Sequence, residues 1–190
     1  VYLHKTSVAS EKMLISALLR AKELAAKGVE LFASPALRFF LCNKIDKDEF
    51  YKNPVCLDNF IQLDDNDIWT SLKVWCNHPD IVLSTLSQGL VNRKLFKVEV
   101  LSSPISPTRK EEILQKISQQ LNISKKEANY FFSTSLIENN MYRKEDDSIE
   151  ILFNDGTTQN IADASDMLNI SLLSRKVKKY YVCFLRFNGF

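Results

Sequence analysis

Residues 62 to 100 read QLDDNDIWTSLKVWCNHPDIVLSTLSQGLVNRKLFKVEV. Two capped apolar patterns, a group of carboxylates and a basic-aromatic pentad follow one another here without a linker. Asp64 and Asp65 precede Ile68, Trp69, Leu72, Trp75 and Cys76, whose spacing predicts a helix. An aspartate in that place accepts from unpaired first-turn N–H groups and favours the positive helix end. Asn77-His78-Pro79-Asp80 then breaks the chain, with Pro79 suited to the first turn of the next helix and Asp80 to its dipole. Ile81, Leu83, Leu86, Leu90 and Val91 give that second helix its apolar face. Arg93-Lys94-Leu95-Phe96-Lys97 leads into Val98-Glu99-Val100, where the period shortens from helical to alternating.

The 190 residues suffice for one sizeable core or two small ones, and 45% hydrophobic with 25% charged side chains is ordinary for a soluble globular protein. With 25 basic against 23 acidic side chains there is no global field to hold nucleic acid or a membrane, so any charged site must be local. Apolar runs such as Leu37 to Cys42 are too short to span a bilayer. Cys42, Cys56, Cys76 and Cys183 are widely spaced among apolar residues, which reads as free, buried thiols in a reducing cytoplasm. The chain opens Val1-Tyr2-Leu3-His4 without an initiator methionine, and the expectation is a piece of a longer polypeptide.

Met13, Leu14, Ala17, Leu18, Ala21, Leu24 and Ala25 predict one long helix from Thr6 to Lys27, stopped by Gly28. Its other face, with Glu11, Lys12, Arg20, Lys22, Glu23 and Lys27, is expected to meet water. A second, shorter helix starts near Pro35. Asn43 to Asn53 reads as a charged surface loop, and Pro54 to Leu63 as a short helix delivering Phe60 to the core. Ser102-Ser103-Pro104-Ile105-Ser106-Pro107 is the strongest linker signal. Thr108-x-x-Glu111 and Ser124-x-x-Glu127 are capping boxes for two further helices. Ser133 to Tyr142, Ser148 to Phe153, Thr157 to Ile161 and Lys179 to Phe187 read as strands, with an Asp155-Gly156 hairpin and a central strand at Val182 to Leu185. The expected fold is a mainly α N-terminal half, residues 1–101, followed by a small α+β C-terminal lobe, residues 102–190, with an antiparallel sheet.

Only His4 and His78 are present, and neither is followed by Asp. A Ser-His-Asp triad, a zinc site or a hydrolytic metal centre each needs more convergent ligands, so no catalytic and no metal-ligating residue is assigned in this chain. Four glycines leave no P-loop and no dinucleotide fingerprint. Asp46, Asp48 and Glu49 lack the glycine and distal glutamate of a calcium loop. Asp64, Asp65 and Asp67 suit either a helix cap or a magnesium ion, and their place before a helix favours the cap. Arg93, Lys94 and Lys97 flank the apolar pair Leu95-Phe96, so the cations can project together toward a polyphosphate or serve as a solvated helix end that complements the negative dipole, and the spacing alone favours the helix end. Arg175, Lys176, Lys178 and Lys179 read as the charged entry to a strand in preference to a nucleic-acid contact.

Taken together, Tyr2-x-His4-Lys5 ahead of a long helix, Leu63-Asp64-Asp65 and Asn92-Arg93-Lys94-Leu95-Phe96-Lys97 resemble the helical second half of HD-domain phosphohydrolases, the superfamily of the dNTP triphosphohydrolases. The similarity is best from Val1 to about Val100. In that family two histidines, a His-Asp dyad and a later aspartate hold the metal, all upstream of the resembling stretch. The resemblance therefore implies the C-terminal part of a metal-dependent nucleotide phosphohydrolase, with a divalent ion (Mg, Mn, Fe or Ni) in the missing domain and no cofactor in this chain. It implies that Tyr2 lies against substrate, and that His4, Lys5, Arg93 and Lys97 touch a regulatory nucleotide, a dNTP or GTP, at contacts of a homo-oligomer. Leu3 stands where the resembling dNTP triphosphohydrolase has a polar side chain, a departure at the expected substrate wall. The alternative is a non-catalytic assembly module whose Arg93 and Lys97 serve salt bridges between proteins.

Overall fold

The computed structural model describes residues 4–139, 150–160 and 177–187. Along these run α1 (Lys5–Ala26), α2 (Pro35–Cys42), α3 (Lys47–Lys52), α4 (Pro54–Ile61), α5 (Asp65–Trp75), α6 (Ile81–Val91), β1 (Lys97–Leu101), α7 (Pro107–Leu121) and α8 (Lys125–Ala128). A single 3-10 turn (Asn129–Phe131) leads into β2 (Phe132–Asn139), and β3 (Glu150–Leu152), β4 (Thr158–Asn160) and β5 (Val177–Phe184) follow. One sheet has the strand order β1-β5-β2 and a second pairs β3 with β4. The expected class, mainly helical with a small antiparallel element, is the one observed.

Contacts divide the chain into two compact units. The first comprises Val1–Glu99, Ile105–Thr134 and Val182–Phe190, and the second Val100–Pro104 and Ser135–Tyr181. In the second unit, β3 and β4 form the hairpin expected from Asp155-Gly156. Gly156 takes a φ of +84°, a conformation glycine adopts without a Cβ clash, and the Thr157 N–H and hydroxyl both donate to Asp155 Oδ1.

In the first unit α1 packs against α6 and α2, and α5 against α6. Ala17 and Ala21 on α1 are fully buried, small enough to let α6 bring in Val82, Leu83 and Leu86, all likewise sealed from solvent. Burying each such Val or Leu side chain is worth about 1.5–3 kcal/mol. Trp75 closes the far side of α5, its indole N–H donating to the Phe32 carbonyl at 3.0 Å. Gly28 (φ +81°) ends α1 as expected, with the Val29 N–H on Leu24 O and the Gly28 N–H on Ala25 O.

Arg20 departs most sharply from the sequence reading. Assigned to the wet face of α1, it is 6% exposed and lies at the meeting point of α1, α6 and α8. Its Nε and Nη2 grip both oxygens of Asp80 at 3.1 and 2.6 Å, Nη1 meets Glu23 at 3.1 Å, and Nη2 also meets Glu127 at 3.1 Å. The Tyr130 ring lies 5.5 Å from the guanidinium carbon, and its hydroxyl donates to Glu23. Hydrogen bonds from Lys27 and Tyr130, then from Arg20, hold the Glu23 carboxyl down at about 2. Burial alone would raise Asp80, but Arg20 and the Leu83 amide leave it below its ordinary value.

Pro79 lies ahead of α6 and does not open it: Asp80 is the N-cap, accepting from the Leu83 N–H at 2.8 Å. Ile81 is 45% exposed, and Val82 and Ser87 take the buried face. Asn43 to Asn53 is not loop throughout, because Asp46 accepts from the Glu49 N–H at 2.8 Å and caps α3. Phe60 is exposed, since α4 buries Cys56 in its place. Thr108 caps nothing: Pro107, which has no N–H to leave unpaired, takes the first helical position and Ser106 accepts from the Arg109 N–H. The Ser124–Glu127 box forms as expected. Cys42 is exposed, whereas Cys56 and Cys183 are buried, and all four thiols are free. Residues 140–142, 148–149 and 161 of the expected strands, and Arg175 and Lys176, lie outside the described residues.

Replacing Arg20 by methionine leaves Asp80, Glu23 and Glu127 without their shared cation and is expected to cost about 3 kcal/mol, read as a lower urea midpoint at unchanged slope. A loss under about 1 kcal/mol would contradict a load carried by this cluster. Glu23 and Asp80 bind protons less readily folded than unfolded, so their contribution is complete above 4.5 and 3.8, their ordinary values, and is lost as pH falls below these, in the case of Glu23 toward about 2. Acid unfolding curves should show this decline, and the Arg20→Met protein should show a shallower one.

Candidate anion-binding cleft

The end of α6 and the start of α1 build one feature together. Met13 on α1 is 1% exposed, and its Sδ accepts the Phe96 N–H at 3.3 Å. Its methyl group occupies the space beside Gly89, where an added Cβ would stand 2.5 Å from Met13 Cε and 3.2 Å from the Lys94 carbonyl. Beyond Gly89 the helix closes with the Lys94 N–H on Gly89 O at 2.8 Å and the Arg93 N–H on Leu90 O at 3.2 Å. This closure needs a left-handed residue, and Arg93 supplies it at φ +56°. A non-glycine residue held there costs about 1–2 kcal/mol. Phe96, 2% exposed, then pins the strand entry, as the pentad Arg93 to Lys97 suggested.

Between these segments opens a cleft of about 830 Å³, within the range usual for small-molecule sites. Met13, Leu86, Phe96 and Phe131 contribute apolar floor, while Lys5, Arg93, Lys94, Lys97 and Arg186 contribute cations. No Asp or Glu lines it among the described residues. Thr6 and Ala9 on the first turns of α1 also face it, and that first turn carries no acidic side chain, so the positive end of a 22-residue helix adds to the same field. Arg186 is braced by its Nε–H donating to the Leu95 carbonyl at 3.0 Å.

Of the residues singled out in the sequence, Lys5, Arg93 and Lys97 therefore share one cleft. His4 is the N-cap of α1, its Nδ1 accepting the Thr6 N–H at 3.3 Å, and it is not among the lining residues. Tyr2 lies outside the described residues. Sequence reasoning missed Arg186, whose only signal was a lone cation directly after the apolar run Val182 to Leu185. Of the three aspartates at the start of α5, Asp64 and Asp67 form a reciprocal cap: Asp64 accepts from the Asn66 and Asp67 N–H groups, and Asp67 accepts from the Asp64 N–H. The described residues hold no group of three or more His, Cys, Asp or Glu able to bind a metal ion, and no helix among them is long and apolar enough to cross a membrane.

Alanine at position 89 would crowd Met13 and the Lys94 carbonyl, and is expected to destabilise the fold by about 1–3 kcal/mol. In a Met13→Ala background the same change should cost less, and a double-mutant cycle measured by urea unfolding reads the difference. Equal costs in both backgrounds would place the strain elsewhere.

No family model matches the chain. Among curated proteins, the uncharacterized protein YwfO of Bacillus subtilis is 27% identical over 97 residues, 51% of this chain and 20% of that protein. Among solved structures, a phosphohydrolase of Bacteroides thetaiotaomicron is 69% identical with a TM-score of 0.91, over 98% of this chain and 46% of that one. The fold described above is therefore shared, almost end to end, with a segment of a phosphohydrolase about twice as long.

Proposed function

We propose that this chain is the C-terminal part of a metal-dependent phosphohydrolase of the HD-domain superfamily that hydrolyses nucleotide phosphoesters, a dNTP being the favoured substrate. The observation that carries this reading is the 69% identity to a phosphohydrolase over 98% of the chain. The described residues do not fit a metal ion, so the reading leaves metal chemistry to polypeptide beyond this chain. What these residues do is bind and orient. Lys5, Arg93, Lys94 and Arg186 with a helix start, around a cleft that no Asp or Glu lines among the described residues and with Lys97 in its wall, favour a polyphosphate, whose oxygens accept charge-assisted hydrogen bonds from Arg93 and Arg186 and point-charge attraction from the lysines.

In this reading Lys5, Arg93 and Lys97, with His4 beside them, hold a regulatory nucleotide, and Tyr2 contributes to the substrate wall. Exposed apolar side chains on α3 and α4, Tyr51 at 77%, Phe60 at 56% and Ile61 at 71%, suit burial against further polypeptide or a second subunit.

The isolated chain is expected to release no phosphate from any dNTP with magnesium or manganese, whereas a protein of the solved relative's length should. Turnover by the segment alone would refute this division of labour. Calorimetry with dGTP, GTP and ATP is expected to show binding to the full-length protein that weakens at least about tenfold in Arg93→Glu, a change of two charges beside the ligand. No binding to a correctly assembled full-length protein would favour a non-catalytic assembly module.

A further inference from the structure

Lys97 stands in the wall between two clefts. Besides the first, it lines a second of about 380 Å³ that also includes Glu99, Arg109, Glu112, Lys116 and Phe184. Glu99 lines only the second. The Lys97 ammonium meets Glu99 Oε1 at 3.0 Å and lies 5.7 Å from the centre of the Phe184 ring, so the structure shows the cation on the second side of the wall. The other oxygen of Glu99 is taken by Arg109 Nη2 at 2.6 Å. The Glu99 side chain is 20% exposed, against 45% for each cation, which makes the carboxylate the fixed member of the trio. Burial would raise its protonation range, but Lys97 and Arg109 hold it below the ordinary value, so it is charged at neutral pH.

From this geometry we infer that Glu99 is a positioning residue that sets the anion affinity of the first cleft by holding Lys97 away from it. The inference rests on the cleft taking a polyphosphate, as proposed above. A phosphate chain entering there competes with Glu99 for the Lys97 ammonium and feels the carboxylate's own repulsion through the wall. Arg109 moderates the effect, since it shares the same carboxylate and so weakens its hold on Lys97.

The test is calorimetric titration of the full-length protein with inorganic tripolyphosphate and with dGTP. Glu99→Gln is expected to tighten both by about threefold to fivefold, the range of a partly exposed ion pair. Arg109→Gln, which leaves Glu99 to Lys97 alone, is expected to weaken both by about twofold, and it supplies a reading of opposite sign should Glu99→Gln fold poorly. In a Lys97→Met background Glu99→Gln should change affinity by less than about 1.5-fold. Glu112→Gln, the same charge change in the second cleft, serves as the control for a general field. Equal tightening by Glu112→Gln, or persistence of the Glu99 effect without Lys97, would overturn the inference. Wild-type binding that Glu99→Gln leaves unchanged would overturn it while leaving the anion cleft standing. Absence of binding to wild type and Glu99→Gln alike would overturn both.

Discussion

One guanidinium, withdrawn from water and facing three carboxylates, holds the helical unit in register. A buried ion group adds little when compared with a well-packed apolar substitute, but a partner removed from it leaves charge stranded at low dielectric. Arg20 is in that position. Through Asp80 it meets the cap of α6, through Glu127 the capping box of α8, and through Glu23 and Tyr130 the turn that follows. The carboxylates that terminate two helices are thus the same ones that neutralise α1. Helix boundaries and helix packing are consequently coupled, since an unfolded cap would also strip Arg20 of a partner.

That registration is what makes the cleft possible. With α1 and α6 fixed at the Arg20 end, the opposite end of α6 arrives beside Met13, and only glycine at position 89 leaves room for the thioether to reach the Phe96 amide. The chain then turns through Arg93 and brings Arg93 and Lys94 to the cleft that the N-terminal turn of α1 also lines. Like charges gathered in this way repel one another, and the compact structure opposes that with buried Phe96, which pins the segment carrying Arg93 and Lys94, and with a backbone carbonyl that holds Arg186. The site is local because the overall charge of +2 could not provide it.

Much of this was legible in the sequence where the signal is short-range. The reciprocal box at Ser124 and Glu127, the aspartates before α5, the Asp155-Gly156 hairpin and the stop at Gly28 all involve residues within six positions of one another. Arg20 departs from expectation although its spacing is informative: Met13, Ala17, Arg20 and Leu24 recur at four, three and four, the rhythm of a buried stripe. Its charge argues for solvent, and the partners that permit burial, Asp80 and Glu127, lie 60 and 107 residues away. Phe60 shows the reverse error, an aromatic ring credited with burial when its short helix turns only Cys56 inward. For the cleft, the Arg93 to Lys97 pentad and Lys5 were visible as fragments, whereas Arg186 joins them only through the fold.

Among the three left-handed helix ends of the described residues, Gly28 and Asn122 are residue types that accept such a backbone readily, and Arg93 is not. Conformational ease alone would drive position 93 toward glycine, and in doing so would erase a positive charge at the mouth of the cleft. Thermal robustness and electrostatic attraction therefore pull in opposite directions at a single codon. A directed-evolution campaign selecting only for heat resistance would be drawn to that substitution, and would gain durability while dulling the cleft's pull on anions.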